Sequence, residues 1–547
     1  MEKEPENKLK TSTRYKIWMP LFGACMIVVG MFLQWFIHRV EDRTEAEKRL
    51  SSLLHIIQEN YVDEISMDSL VNLAIPSIVS SLDPHSVFIS AAEREAVDNE
   101  LEGSFSGIGI QFRVFSDSVV IIEVVKGGPS EKVGLLAGDR IIGVDGANIA
   151  GTGISTDEVP KLLRGPKDSV VKLKVVRPGA DKPLQFDVVR GDIPVTSIDA
   201  SFMIDESTGY VKVNKFGRNT YNEFLQSLIA LKSAGAEDFI IDLRGNVGGY
   251  MESAVMMVNE FLPQNRLIVS TKGRHPEEDA IISSDGRGYF PDSRVIVLID
   301  EMSASASEIF AGALQDNDRG LIIGRRSFGK GLVQRPMELS DGSELRLTIQ
   351  RYYTPSGRSI QKNYTPGMNS DYVDEIYERF NSGELMALDS TKVDREHVFT
   401  TVGGRSVYGG GGIIPDMFIP NDTSAVTSYY VGVVNKDLIS KYAFEYVDLN
   451  RQSLSKCKNV NELLRQLPPD ETLLGSFAEY AKKNGIAPRW YYINISMPLI
   501  VNQIKALIAR DVFGVSDYYQ VFSEIDNNVS AAKEAFSQGK ADFPIKN

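Results

Sequence analysis

The chain has 547 residues, 43% apolar and 24% charged, the balance of an ordinary globular protein too long for a single hydrophobic core. A net charge of -14 argues against a nucleic-acid surface, which needs clustered Lys and Arg. Only two cysteines occur, Cys25 and Cys457, so a disulfide framework is not expected.

Ile17 to Ile37, "IWMPLFGACMIVVGMFLQWFI", carries no charge and reaches the length of about twenty residues that spans a bilayer. Lys8, Lys10, Arg14 and Lys16 precede it, and Trp18 and Trp35 sit where interfacial aromatics belong. The expectation is a cytoplasmic tail (1–16), an anchor in the cytoplasmic membrane (17–37) and an exported, periplasmic remainder. The rival is a cleaved signal peptide, against which stand the long apolar run and the lack of a small-residue cleavage site after it.

Residues 41–101 read as helical. "AEKRLSSLLHIIQENYV" aligns Leu50, Leu53, Leu54, Ile57 and Tyr61 on one face. These helices suit either the main body or a second copy of the chain. From 102 to 192 short strands and turns take over, "SVVIIEVV" and "VVKLKVVR" among them, with one candidate helix in "STDEVPKLLRG". This region reads as a small, mostly β domain. From 195 onward the strand candidates "GYVKVNKF", "DFIIDLR", "RLIVSTK", "SRVIVLID" and "RGLIIGRR" alternate with helical stretches, which predicts an α/β layer with largely parallel strands. A looser tract with "YGGGGIIPD" runs to about 420, and 421–547 reads as mostly helical.

The chemistry concentrates in three stretches. "DLRGNVGGYME" has Val247 where a Gly-Asn-Ser-Gly-Gly nucleophile would stand, leaving a Gly-rich turn whose backbone N–H groups can converge, or a tight turn with no ligand. "SASASE" offers Ser303, Ser305 and Ser307 at a strand-to-helix turn. Ser305 fits a capping box with Glu308, and the same place suits a nucleophile facing the unpaired N–H groups of a helix start. Both readings stand at this point. A serine nucleophile needs a base, and no histidine lies in a catalytic pattern; Lys330, between Gly329 and Gly331 and near Phe328, Leu332 and Val333, serves if burial makes its amine neutral. No metal-ligand spacing is present, and no cofactor is implied.

Taken together, "YVDE", "LDPHS", "GSFSGIGIQF", "GGPSEKVGLLAGDRIIGVDG", "DLRGNVGG", "SASASEIFAGALQD", "SFGKGLVQ", "YYTPSGRSIQ" and "GGGGIIPD" resemble, in order and spacing, the carboxy-terminal processing peptidases. The resemblance implies a crotonase/ClpP-like layered α/β core (195–420) with an inserted PDZ domain. It also implies a Ser-Lys dyad: Ser305 as nucleophile, Lys330 as base and Gln334 orienting the amine, with the N–H groups of Ala306 and Gly249 as oxyanion hole. Gly107, Ile108, Gly109 and Ile110 correspond to the carboxylate-binding loop of the PDZ domain, which would take apolar protein C-termini. Arg140 resembles an arginine of the switch by which the PDZ domain gates related enzymes. Pro160 inside the expected groove helix, and the lack of a Gly-Thr before the last PDZ strand, depart from the pattern. The expected function is a membrane-anchored serine endopeptidase acting on protein tails through an acyl-enzyme. A PDZ scaffold with a silent protease fold is the alternative, and a crotonase-type acyl-CoA enzyme is disfavoured by the PDZ domain. A homodimer or an adaptor protein is a candidate partner for the helical regions.

Overall fold

The computed structural model describes residues 22–31, 44–94, 103–115, 118–367, 369–387 and 397–543. Two compact units emerge, residues 1–78 and 79–547. In the first, Phe22–Met31 is a ten-residue apolar helix with Phe22, Met26 and Met31 exposed, and the flanks of the predicted span lie outside the described residues. The helix Glu45–Asn60 starts at Thr44 with a full capping box: Glu47 N–H donates to Thr44 Oγ1, and Thr44 N–H to Glu47 Oε2. None of its residues is buried. Met67–Ser80 forms the next helix.

The mostly β region is an antiparallel sheet of Ile110–Phe115, Ser118–Val124, Arg140–Val144, Val170–Val176 and Leu184–Val189, in that order. Along Val170–Val176 every second residue is buried, as the two-residue period of a strand dictates: Val171, Leu173 and Val175 face the core. Ser104–Gly107 pairs with Gly191–Pro194, clamping the chain where it enters and leaves the domain. Within "STDEVPKLLRG" the groove helix begins at Glu158, which puts Pro160 in the first turn, where its missing N–H breaks no helical bond.

The α/β core is a six-stranded sheet whose spatial order follows the sequence: Ile198–Met203, Thr208–Val213, Asp238–Asp242, Val295–Ile299, Leu321–Gly324 and Met417–Phe418. The first pair is antiparallel and the others are parallel. Its central strands are buried on both faces, so they read as continuous apolar runs. One face packs on the helices Thr220–Ser233, Met251–Asn259 and Ala306–Asp316, through Phe224, Met257 and Phe310. The opposite face, with Tyr210, Ile240, Ile296, Leu298 and Ile323, is closed by Val529, Ala532 and Phe536 of the helix Asn527–Ser537.

One strand expected in the parallel layer lies elsewhere. Leu267–Gly273 follows a helix but does not join the parallel sheet. It pairs antiparallel with Glu344–Tyr353 in a second sheet that also holds Val87–Ile89, Ala280–Ser283 and Leu332–Glu338. Half-buried, charge-containing strands such as "ELRLTIQRYY" lack the apolar run that marks a central strand.

The C-terminal residues are helical as expected. Trp490–Phe513 is apolar and long enough to cross a membrane, but more than half of its apolar window is buried, and Ile493, Ile500, Ile504 and Ile508 make it the centre of a helical bundle. The β domain rests on this bundle. Phe115 meets Phe444 at 5.0 Å between ring centroids, and Arg140 Nη2 donates to Asp448 Oδ2 at 3.0 Å.

Candidate active site

Three serines at alternate positions have three different environments. Ser303 is fully buried; its Oγ donates toward Leu243 O and accepts from Asp300 N–H. Ser307 is fully buried too, its Oγ donating to Asn246 O at 2.8 Å. Both hydroxyls are structural ties. Ser305 alone is partly exposed, at the N-cap of Ala306–Asp316 with φ 56° and ψ −112°. A positive φ in a non-glycine residue is strained, and at a strand-to-helix turn it lifts the side chain away from both elements.

Glu308 explains how this turn is held. Its carboxylate, 1% exposed, accepts four donors. Oε2 takes Ser305 N–H at 2.8 Å and Lys330 N–H at 2.9 Å; Oε1 takes Ser327 Oγ–H at 2.5 Å and Gly329 N–H at 2.7 Å. One buried side chain thus ties the Ser305 segment to the Lys330 segment. Burial pushes the Glu308 carboxyl up to about 7, against the opposing pull of these hydrogen bonds. Tyr352 Oη adds a second tie, lying 3.1 Å from Ser305 O and 2.6 Å from Lys330 O.

Lys330 sits in a loop that precedes the strand Leu332–Glu338. Burial lowers its amine pKa from the ordinary lysine value, with Glu308 and Asp83 opposing and Arg346 adding to the shift. Its Nζ donates to Gln334 Oε1 at 2.8 Å, and no hydrogen bond joins it to Ser305 among the described residues. Gln334 lies at a register shift in the pairing with Glu344–Tyr353, a bulge of the kind that re-aims a side chain. The run Gly409–Gly412 packs beneath the lysine loop: Ile413 N–H donates to Ser327 Oγ, and a Cβ on Gly412 would come within 2.7 Å of Ser327 O.

The Gly-rich turn lies beside Ser305. A Cβ on Gly248 would meet Ala304 O at 2.7 Å, Ser305 Cβ at 2.8 Å and Ala306 N at 3.0 Å, so only glycine fits. The φ angles of Gly248 and Gly249 are 101° and 142°. Gly248 N–H is taken by Asn246 Oδ1 at 2.9 Å, whereas the N–H groups of Gly249 and Ala306 donate to nothing among the described residues. Behind the turn, Asp242 accepts from Tyr210, Lys212 and Arg244, and Arg244 reaches Asp526 with a pair of bonds of 3.1 and 2.7 Å. Burial raises the Asp242 carboxyl, but Arg244 and Lys212 outweigh it and hold the pKa below the ordinary carboxylate range.

The segment Asp83–Ser86 of "LDPHS", whose histidine lies in no catalytic pattern, reaches this site. His85 O accepts a hydrogen bond from Gln334 Nε2 across 249 positions. The imidazole packs edge-on against Phe328 and Tyr372, with Nε2 2.7 Å from Tyr372 Oη. Burial, and after it the charge of Lys330, pushes His85 down to about 3, so it is neutral. The only early sign of this contact is the "LDPHS" motif itself.

In the β domain the N–H groups of Ile108 and Gly109 make no hydrogen bond among the described residues, while Ser130 and Val125 donate to the carbonyls of these two residues. Gly109 has φ 73°. Gly107 and Ile110 flank them at strand ends. Arg140 is not brought to the serine; it faces Asp448 of the helical bundle.

Peptidase family S41 matches residues 207–373, a PDZ domain matches 106–188, and a family of unknown function matches 429–514. The chain is 31% identical over 357 residues to the carboxy-terminal processing protease CtpB of Bacillus subtilis, covering 64% of this chain and 73% of that protein. It is 35% identical over 319 residues to a carboxy-terminal-processing protease of Bartonella bacilliformis, covering 57% and 72%. Among solved structures, the photosystem II D1 C-terminal processing protease is 28% identical, with a TM-score of 0.33, over 58% of this chain and 91% of that one. The chain belongs to the carboxy-terminal processing proteases of peptidase family S41, and it is a serine-type peptidase carrying a PDZ domain.

Proposed function

We propose that this peptidase cleaves its protein substrates with a Ser305–Lys330 dyad through an acyl-enzyme. The observation that carries this reading is the Glu308 carboxylate, which joins the one exposed serine of the run to the backbone of a buried, pKa-lowered lysine. Ser305 Oγ attacks the scissile carbonyl carbon while its proton passes to the neutral Lys330 Nζ. The N–H groups of Ala306 and Gly249 take the negative charge that develops on the carbonyl oxygen. The tetrahedral intermediate collapses, the C–N bond breaks, and Lys330 returns the proton to the leaving amine. Water, deprotonated by the same amine, then hydrolyses the ester. Gln334 holds the amine in place throughout.

The PDZ domain, proposed at 102–192, presents Gly107–Ile110 to a substrate C-terminal carboxylate, adding the tail as a strand in the way such domains do. The proposed organisation otherwise keeps a cytoplasmic tail at 1–16, a helical region at 41–101, a peptidase core at 195–420 and a helical region at 421–547. The uncharged run 17–37 with its preceding Lys and Arg residues supports a single-pass anchor that leaves the catalytic part in the periplasm. A second copy or an adaptor docking on the helical regions completes the reading.

The test is incubation of the purified chain with an unstructured protein ending in apolar residues, beside Ser305→Ala and Lys330→Ala, with products read by mass spectrometry. Cleavage lost in both variants, and weakened when the substrate ends in a charged residue, is the expected outcome. Turnover surviving in Lys330→Ala refutes the dyad.

A further inference from the structure

An amide side chain has one accepting end and one donating end, and which faces a lysine decides whether that lysine can act as a base. A neutral amine has two N–H bonds and one lone pair. Gln334 Oε1 facing Lys330 Nζ takes one of the N–H bonds and leaves the lone pair open to the serine proton. Reversed, the amide would aim an N–H at that lone pair and occupy the orbital that must receive the proton. Nothing intrinsic to glutamine prefers one orientation. The partner at its other end chooses, and here that partner is a backbone carbonyl, His85 O, which can only accept.

We propose that the turn Asp83–Ser86 is a positioning element of the catalytic base: through the carbonyl of His85 it fixes the Gln334 amide with its oxygen toward Lys330. The inference rests on the Ser-Lys reading above. The turn is built to hold that carbonyl still. Asp83, 5% exposed, accepts His85 N–H and Ser86 N–H on Oδ1, each at 2.8 Å, and Ser86 Oγ–H on Oδ2 at 2.6 Å. Thr348, in the strand Glu344–Tyr353, donates its N–H to Ser86 Oγ and its hydroxyl to Asp83 Oδ1, both at 3.1 Å. The strand Val87–Ile89 then pairs directly with Glu344–Arg346. On its other side the His85 ring is fixed by Phe328 and Tyr372. The "LDPHS" stretch thereby acquires a role without touching the substrate.

A double-mutant cycle tests this, using the full chain and a quenched fluorescent peptide with an apolar C-terminus. Asp83→Ala frees the turn. Gln334→Glu replaces the amide by a carboxylate, which accepts at both ends and cannot direct an N–H at the lone pair in any orientation. Rates are compared on the alkaline plateau of the pH profile, where the lost Asp83 charge beside Lys330 no longer matters. Asp83→Ala alone is expected to lower kcat at least tenfold with KM within threefold. In the Gln334→Glu background the same substitution is expected to lower kcat less than threefold. Gln334→Glu alone moves the acid limb to higher pH, because its charge favours the protonated amine. Equal losses from Asp83→Ala in both backgrounds overturn the inference, since they would mark the turn as purely structural. If Asp83→Ala does not fold, Ser86→Ala, which removes the hydroxyl linking Asp83 to Thr348, takes its place in the cycle. Turnover retained by Lys330→Ala would defeat the dyad itself, whereas an inactive Lys330→Ala with an additive cycle defeats only this inference.

Discussion

Replacing Glu308 by Gln changes one atom of a buried side chain and removes half of what it does. The carboxylate accepts from Ser305 N–H, Lys330 N–H, Gly329 N–H and the Ser327 hydroxyl. An amide keeps one accepting oxygen, and its NH2 must face two of these donors. The Ser327 hydroxyl can rotate and accept instead, but a backbone N–H cannot. If the NH2 faces Ser327 and Gly329, one N–H is orphaned; if it faces Ser305 and Lys330, two are. Each buried donor without an acceptor costs about 1–3 kcal/mol, so the least costly arrangement still loses roughly that much. The strained φ of Ser305 is held partly by this carboxylate, and the loop relaxes when the tie goes. A shift of about 1 Å between nucleophile and base lowers rates on the order of a hundredfold. The assay is initial-rate cleavage of an apolar-tailed peptide beside a thermal melt. Glu308→Gln is expected to lower kcat about a hundredfold with a melting temperature reduced by a few degrees. A variant that melts normally and keeps kcat within threefold of the parent would show that the carboxylate does not hold the two segments in register.

Ser307→Ala removes one buried structural hydrogen bond and Ser303→Ala removes two, so thermal melts should show destabilisation of about 1 kcal/mol for the first and about 2 kcal/mol for the second while measurable cleavage persists. Ser305→Gly should abolish cleavage yet raise the melting temperature, because glycine relieves a φ of 56°; a lower melting temperature would contradict the strain argument. Burial lowers the Lys330 pKa, so its penalty to the folded state is full below the folded pKa and fades as pH rises toward the unfolded value. Lys330→Met, while inactive, is therefore expected to melt higher than the parent at neutral pH, with the gain shrinking toward pH ~10.4. Gly249→Ala would drive a Cβ into the Phe216 carbonyl; it should lower kcat by ten- to a hundredfold with a smaller change in KM, and an unchanged kcat would remove Gly249 from the oxyanion hole.

Where an apolar run forms a strand buried on both faces, as in "VIVLI" and "DFIID", composition alone reveals it. Glu344–Tyr353 was illegible for the opposite reason: it mixes charged and apolar residues because it serves three neighbours in a partly exposed sheet. The serine run shows what spacing can and cannot decide. Capping and nucleophilic readings both selected Ser305, and only burial and backbone angle separate it from Ser303 and Ser307. Gln334 was legible only through the family resemblance, although it stands four positions from Lys330 and the contact is local. Glu308 was read as a helix cap, and its reach to residues 327–330 depends on tertiary packing. His85 was passed over because its part is played by a backbone carbonyl, on which the histidine side chain has no bearing.

The parallel sheet that ends in the Ser305 turn is closed by residues far downstream of its own strands. One of its faces stays bare until Val529, Ala532 and Phe536 arrive, and the Gly-rich turn is braced through Arg244 by Asp526. Such long-range closure slows folding, since the helix Asn527–Ser537 must be in place before the earliest core strands are covered. A chain without this segment would therefore expose apolar sheet and leave the Gly-rich turn unbraced. The topology makes loss of the helix Asn527–Ser537 a defect of assembly rather than of chemistry.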